Sequence, residues 1–167
     1  MAMSTKRRSF EAGHKRKYLV VIDDTEECDR AVYWAAKRAG RTKSAVVMLR
    51  VIETAEAGAQ WLGVADIMKA EAADDAKAAF KKYSERIKKI ARGVKTDEVI
   101  REGSTSEQIL KLIDEDQDIG ILVLAAAANK DGPGPLVANL AKIAGTFPIP
   151  VAIVPGHLSD DDIDASS

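Results

Sequence analysis

Apolar positions along this chain alternate between two patterns. Tyr18-Leu19-Val20-Val21-Ile22 is a continuous run rich in branched residues, the pattern of a strand buried on both faces. It breaks at Asp23-Asp24-Thr25, where Thr25 can cap a helix and Glu26 and Glu27 suit the positive end of the helix dipole. Ala31, Val32, Ala35, Ala36 and Ala39 then form a helical stripe that Gly40 closes. Ala45 to Ile52 is a second strand. From Glu53 to Gly63 the pattern dissolves, leaving Trp61 either as an aromatic plug beneath a long loop or as part of a lid. Asp66 to Arg92 is one long amphipathic helix, with Ala72, Ala76, Ala79, Phe80, Tyr83, Ile87 and Ile90 at three- and four-residue steps, and Gly93 ends it.

Val94 to Glu102 is a weaker strand. Ser104/Glu107 and Thr105/Gln108 both have capping-box spacing, and Ile109, Leu112 and Ile113 give the following helix its buried stripe. After an acidic exit, Asp114 to Asp118, comes a fourth strand at Ile119 to Leu124. The loop Asn129-Lys130-Asp131-Gly132-Pro133-Gly134-Pro135 leads into a helix marked by Leu136, Leu140, Ile143 and Ala144 and closed by Gly145. Pro148 to Pro155 is the last strand, and its flanking prolines suit a sheet edge.

Strands alternating with helices predict an α/β fold: an open five-stranded parallel sheet with helices on both faces. Ligands of such sheets bind beyond the carboxyl ends of the strands, so the Asn129–Pro135 loop and Asp23-Asp24 are the first candidates. Asp23 and Asp24 read either as a loop acceptor and a solvated acid, or as a ribose or base contact (Asp23) beside a metal ligand (Asp24). An exposed apolar edge invites pairing with a second copy; a homodimer through Val151, Ala152, Ile153 and Val154 is expected.

Composition narrows the function. The 167 residues suit one domain, 17–156, between a basic tail, 1–16, and an acidic tail, 157–167. Both tails read as solvated charge runs; the alternative for the first is an arm on an acidic surface, nucleic acid or lipid. The formal net charge of −1 favours neither nucleic acid nor membrane, so neither DNA nor a membrane is an expected partner. The single cysteine, Cys28, fits a reducing compartment, and its acidic neighbours Glu26, Glu27 and Asp29 favour an inert thiol. With no apolar run near the ~20 residues of a membrane helix and no signal peptide, a cytoplasmic protein is expected. His14 and His157 lie in or near the tails, which leaves no histidine for a buried triad or a His/Cys metal cluster. No G-x-x-x-x-G-K-S/T loop occurs.

The run Leu19 to Val32 (L-V-V-I-D-D-T-E-E-C-D-R-A-V), the strand Met48 to Ile52, and Gly103 to Ile113 followed by Ile121 to Leu124 and Pro150 to Pro155 together resemble the universal stress protein family, over about residues 17–156. The resemblance implies a Rossmann-like, adenine nucleotide α-hydrolase-like fold, a dimer and a role in stress adaptation. In ATP-binding members the aspartate ending the first strand contacts adenosine, here Asp23, and backbone at the end of the second strand meets adenine, here near Val51. Phosphates sit in a G-x-x-G-x9-G-S/T loop. This sequence instead has Ala125 to Ala128 at the first glycines and Val137-Ala138 at the Gly-Ser/Thr pair. Alanine Cβ atoms hinder backbone N–H groups from closing on a phosphate, and Pro133 and Pro135 lack N–H donors. Gly132 and Gly134 keep open a rearranged anion nest at the helix start.

The implied binding set is Val21, Asp23, Asp24, Val51, Ala125, Asn129, Gly132, Gly134, Val137 and Ala138. Its ligand would be ATP or another adenine nucleotide, with Mg²⁺ only as its companion. A regulatory binding module rather than a catalyst is the leading expectation. The alternatives are a metal-dependent adenine nucleotide hydrolase or transferase of the related group, with Asp23 or Asp24 on the metal, and a ligand-free interaction module.

Overall fold

The computed structural model describes residues 6–53 and 62–167; the two readings of Trp61 concern a residue outside these. The chain forms β1 (Lys17–Val21), α1 (Cys28–Thr42), β2 (Ala45–Ile52), α2 (Leu62–Ile90), β3 (Thr96–Glu102), α3 (Thr105–Glu115), β4 (Ile119–Ala126), α4 (Pro135–Ile143), a 3-10 turn (Ala144–Thr146), β5 (Val151–Pro155) and α5 (Asp160–Ser166). One five-stranded sheet has the order β3-β2-β1-β4-β5, and every pairing in it is parallel.

The continuous apolar runs follow from burial on both sides. Tyr18, Val20 and Ile22 face a core built with α1, α2 and Ile163 of α5. Leu19 and Val21 face a second core made with Ile109, Leu112 and Ile113 of α3 and Val137 and Leu140 of α4. β3 lies at one edge and its charged sequence is largely exposed, which discourages pairing with another chain. β5 is the other edge. Its Val154 is buried while Ile153 is 47% exposed.

Several local expectations are corrected. Thr25 does not cap α1: its N–H and hydroxyl both bond Asp23 Oδ1, a local turn that competes with capping. The helix therefore starts at Cys28, after Glu26 and Glu27. Gly40 does not end α1, which continues to Thr42 and stops at Lys43 in the left-handed region (φ 53°). Gly40 instead permits close approach, since a Cβ there would lie 3.1 Å from Ala91 Cβ. α2 begins at Leu62, ahead of Asp66. Ser104 stands at the cap of α3 without a side-chain cap bond. β4 runs on through Ala125 and Ala126, paired with Val154 and Pro155, so the first alanines of the expected loop are strand.

The charged ends are the largest departure. Residues 160–166 form α5, begun by a full capping box between Ser159 and Asp162. The helix lies along α1. Arg30 pairs with Asp160 at 2.9 Å, Tyr33 and Lys37 hold Asp164, Arg41 bonds Ser167, and Ile163 is fully buried. The basic arm is also docked. Arg7 Nη1 donates to Ile113 O (2.7 Å), Asp116 O and Ile119 O, satisfying carbonyls at the end of α3. His14 Nδ1 lies 2.7 Å from Asp118, and Lys17 pairs with Asp116. Composition alone reads such runs as solvated; here each finds opposite charge on its own domain.

Candidate functional site

β1 leads to β2 and β3 on one side, and β4 and β5 lie on the other, so the strand order reverses between β1 and β4. Helices leave opposite faces at that point and open a crevice beyond the strand ends. Asp23 follows β1 there and borders three cavities. The largest, about 380 Å³, is lined by Val21 to Asp24, Arg50, Val51 and Glu53 of the β2 end, Ser104 to Ser106 of the α3 start, and Pro135, Leu136 and Asn139 of α4. This volume is at the small end of the range for small-molecule sites. A narrower space of about 100 Å³ between β1 and β4 is lined by Asp23, Thr25, Cys28, Ala125, Gly134 and Val137, among others. A third, about 350 Å³, lies between Asp23–Thr25 and Asp75, Lys82 and Tyr83 of α2.

The sequence-predicted residues divide among these spaces. Val21, Asp23, Asp24 and Val51 line the large cavity. Ala125 and Val137 line the narrow one. Asn129, Gly132 and Ala138 border a separate surface hollow, and Gly134 borders both that hollow and the narrow space. Sequence reading missed Arg50, Glu53, the Ser104–Ser106 turn and Asn139. The capping-box spacing marked the serines as a helix start, but the topology makes that start a cavity wall.

Arg50 decides the electrostatics of the β1–β2 side. Its guanidinium reaches Asp24 Oδ2 at 2.8 Å and points another N–H at Ile22 O. The hydrogen bond from Arg50 holds the Asp24 carboxyl below its usual value, and the same bond raises Arg50. The metal-ligand reading of Asp24 therefore gives way to an ion pair. Asp23 Oδ1 accepts from Thr25 instead. Among the described residues no group of three or more His, Cys, Asp or Glu could hold a metal, and this donor set does not fit a protein-held one. Thr105 donates to Glu53 at 2.9 Å, linking the β2 end to the α3 start. Cys28 is buried, and burial pushes its thiol up to about 11; a neutral thiol is a poor nucleophile.

The β4–α4 loop closes on itself. The N–H of Ala127 is taken by Pro133 O at 3.1 Å, that of Asp131 by Asn129 Oδ1 at 3.0 Å, and Asn129 pairs with Gly132. Gly132 and Gly134 have positive φ (104° and 97°), which glycine alone adopts cheaply. They shape a tight turn whose donors partly face inward. α4 opens with Gly134 as cap residue and Pro135 in its first turn.

The sequence matches the universal stress protein family model over residues 15–155. The chain belongs to the universal stress protein family. Solved universal stress proteins share its fold. UspA from Lactobacillus plantarum aligns with a TM-score of 0.70 at 19% identity, covering 84% of this chain and 97% of its own. A family member from Arabidopsis thaliana with AMP bound gives 0.58 at 16%, covering 87% and 94%. The protein from Archaeoglobus fulgidus in complex with dAMP gives 0.56 at 16%, covering 84% and 98%. No curated protein sequence matches this chain. This universal stress protein thus shares the parallel α/β sheet of its solved relatives.

Proposed function

We propose that this protein is a cytoplasmic, universal-stress-type regulatory module that takes up the adenosine part of an adenine nucleotide in the 380 Å³ cavity. The observation that carries the reading is the position of Asp23, at the switch point of the sheet and bordering the large and narrow cavities together. Its carboxylate would accept from ribose hydroxyls, and backbone near Val51 would meet the base edge. Val21 and Asp24 complete that wall. AMP and dAMP complexes of relatives support an adenine ligand.

The phosphate half sets the preferred ligand. Ala125, Asn129, Gly132, Gly134, Val137 and Ala138 form the path it would follow, but Ala127 and Asp131 N–H groups are already bonded within the loop. A triphosphate needs many such donors; a monophosphate needs few. AMP-like ligands are therefore preferred over ATP, with Mg²⁺ arriving only on a nucleotide. Of the two carboxylates the hydrolase reading offers a metal, Asp24 is taken by Arg50, which leaves Asp23 alone for that role.

Isothermal titration with adenosine, AMP and ATP–Mg²⁺, together with chromatography of whatever the denatured protein releases, tests this. Affinity for AMP equal to or above that for ATP is the expected result. Much tighter ATP–Mg²⁺ binding would refute the account of the loop, and no binding at all would leave a ligand-free interaction module.

We also propose a homodimer by β5 pairing. Val151, Ala152 and Ile153 would supply side chains and Val154 backbone alone, since its side chain lies in the core. Ile153→Asp should elute as a monomer; an unchanged mass sinks the interface.

A further inference from the structure

The net charge of −1 conceals a segregation of charge. Strands of a parallel sheet all start at one end; here Asp114, Asp116 and Asp118 stand before β4, while the α1–α2 side of that end is basic. Arg38 and Lys43 at the end of α1, Lys88 and Lys89 in the last turn of α2, and Arg92 and Lys95 before β3 are all exposed. They form one surface. Gly40 lets α1 abut Ala91, and Val46 N–H bonds Lys95 O, placing the start of β2 beside Lys95. None of the six belongs to the ion pairs found among the described residues. The cations higher on α1, Arg30 and Lys37, are already met by Asp160 and Asp164 of α5.

Helix stability accounts for only part of this set. Cations in a last turn complement the helix dipole, which covers Lys88 and Lys89. Arg92 and Lys95 lie beyond Ile90, where α2 has ended. Lys43 sits at φ 53°, a left-handed position where glycine is the favoured residue, and it is the one non-glycine with positive φ among the described residues. A cation thus stands at a position where the backbone favours glycine.

We propose that this amino-terminal rim of the sheet is a docking surface for the phosphate backbone of a nucleic acid, gripped without reading sequence. Clustered, unpaired Lys and Arg on one face are the electrostatic footprint of such binding. A lipid surface fits less well, because membrane-surface elements combine cations with exposed apolar residues. Among the described residues the exposed large apolar side chains are Phe10, Ile67, Met68, Ile100, Leu110, Ile143 and Ile153, all outside 38–43 and 88–95. The inference is independent of the nucleotide reading, since the rim lies at the opposite end of the strands from Asp23.

The test is fluorescence anisotropy of a labelled mixed-sequence oligonucleotide, duplex and single-stranded, with the full chain from about 50 to 200 mM salt, across which phosphate contacts lose affinity steeply. Wild type should bind at low salt and weaken as salt rises. The triple variant K88E/K89E/R92E should lose at least about tenfold in affinity and flatten the log–log salt slope by about two to three. The neutral K88Q/K89Q/R92Q set serves if the first unfolds. Lys43→Gly should raise the melting temperature yet weaken binding, a pair of effects that a purely structural lysine would not give. Lys111→Glu with Lys142→Glu, on α3 and α4, should bind as wild type does. The proposal is overturned by absent or salt-insensitive wild-type binding, by a rim variant that only lowers thermal stability, or by binding to phosphatidylserine vesicles without binding to the oligonucleotides.

Discussion

The contact between α1 and α2 is fastened differently at its two ends. At the carboxyl end, polar chemistry joins the elements. Asp29 at the start of α1 accepts from Arg86 of α2 and from Arg30, Arg86 and Arg30 lie over the Tyr33 ring, and Asp24 pairs with Arg50. Toward the amino end Gly40 of α1 meets Ala91, just past α2, by shape, while the starts of β1 and β4 are still joined by the Lys17–Asp116 and His14–Asp118 pairs. Ion pairs at one end leave cavities between the side chains they hold. The close approach at Gly40 is apolar, and Arg38, Lys43, Lys88, Lys89, Arg92 and Lys95 near it are exposed. One end is thereby suited to enclosing a small ligand, and the other to meeting a surface.

The sharpest way to break this contrast is at Gly40. Gly40→Val places branched carbon against Ala91 and should cost about 1–3 kcal/mol by overpacking, read as a lower thermal midpoint that added salt does not restore. Asp29→Asn should cost about 1–2 kcal/mol through weakened charge-assisted bonds to Arg86 and Arg30, and here the loss should shrink in high salt. If both variants respond to salt alike, the two ends are not fastened by different forces.

Arg50→Met removes the partner of Asp24 and leaves the cavity wall more negative. AMP should bind about fivefold more weakly, near 1 kcal/mol, while adenosine changes less. Equal losses for both ligands would mean that Arg50 acts on the shape of the cavity rather than its charge.

The smallest effect concerns α5, which neutralises α1 between the two ends. Hydrogen bonds from Ser159 hold Asp162 below the usual carboxylate value, and the Tyr33 hydroxyl, aided by Lys37, does so for Asp164. Both favour the charged form in the folded chain. Their contribution is thus complete above the unfolded carboxylate pKa near 4 and is lost as pH falls through the lower folded values. Hydrogen exchange of the α5 amides should be steady from about pH 7 to 5, after correction for intrinsic rates, and rise below about 4. Loss of protection between pH 7 and 5 would place the docking energy elsewhere.

Much of the sheet was legible because burial on both faces writes itself as unbroken branched residues, as in Leu19 to Ile22 and Leu122 to Leu124. Edge position was legible at β5 from its prolines. Thr25 misled because a hydroxyl that can cap a helix can equally close a turn on Asp23. Gly40 misled because glycine serves close approach as well as helix termination. The end charges were opaque for a different reason: composition is the same whether Arg7 is solvated or bonded to Ile113 O, and only the fold brings its partner within reach. Asp23 could be picked out at a strand end and Val51 through the family resemblance, whereas Arg50 sat unnoticed inside an apolar run, its ion pair set by the neighbouring β1 end. Ser104 to Ser106 became cavity wall through the β3-β2-β1 order, which spacing along the chain does not encode.

The docked arm bears on how this protein can be shortened. Deleting residues 1–16 would look like trimming a loose end, yet it removes the donor that meets Ile113 O, Asp116 O and Ile119 O and takes His14 from Asp118. The shortened chain would expose a raw helix terminus beside an acidic corner, open to proteases and to neighbouring molecules. Its solubility would then report that wound rather than the behaviour of the domain.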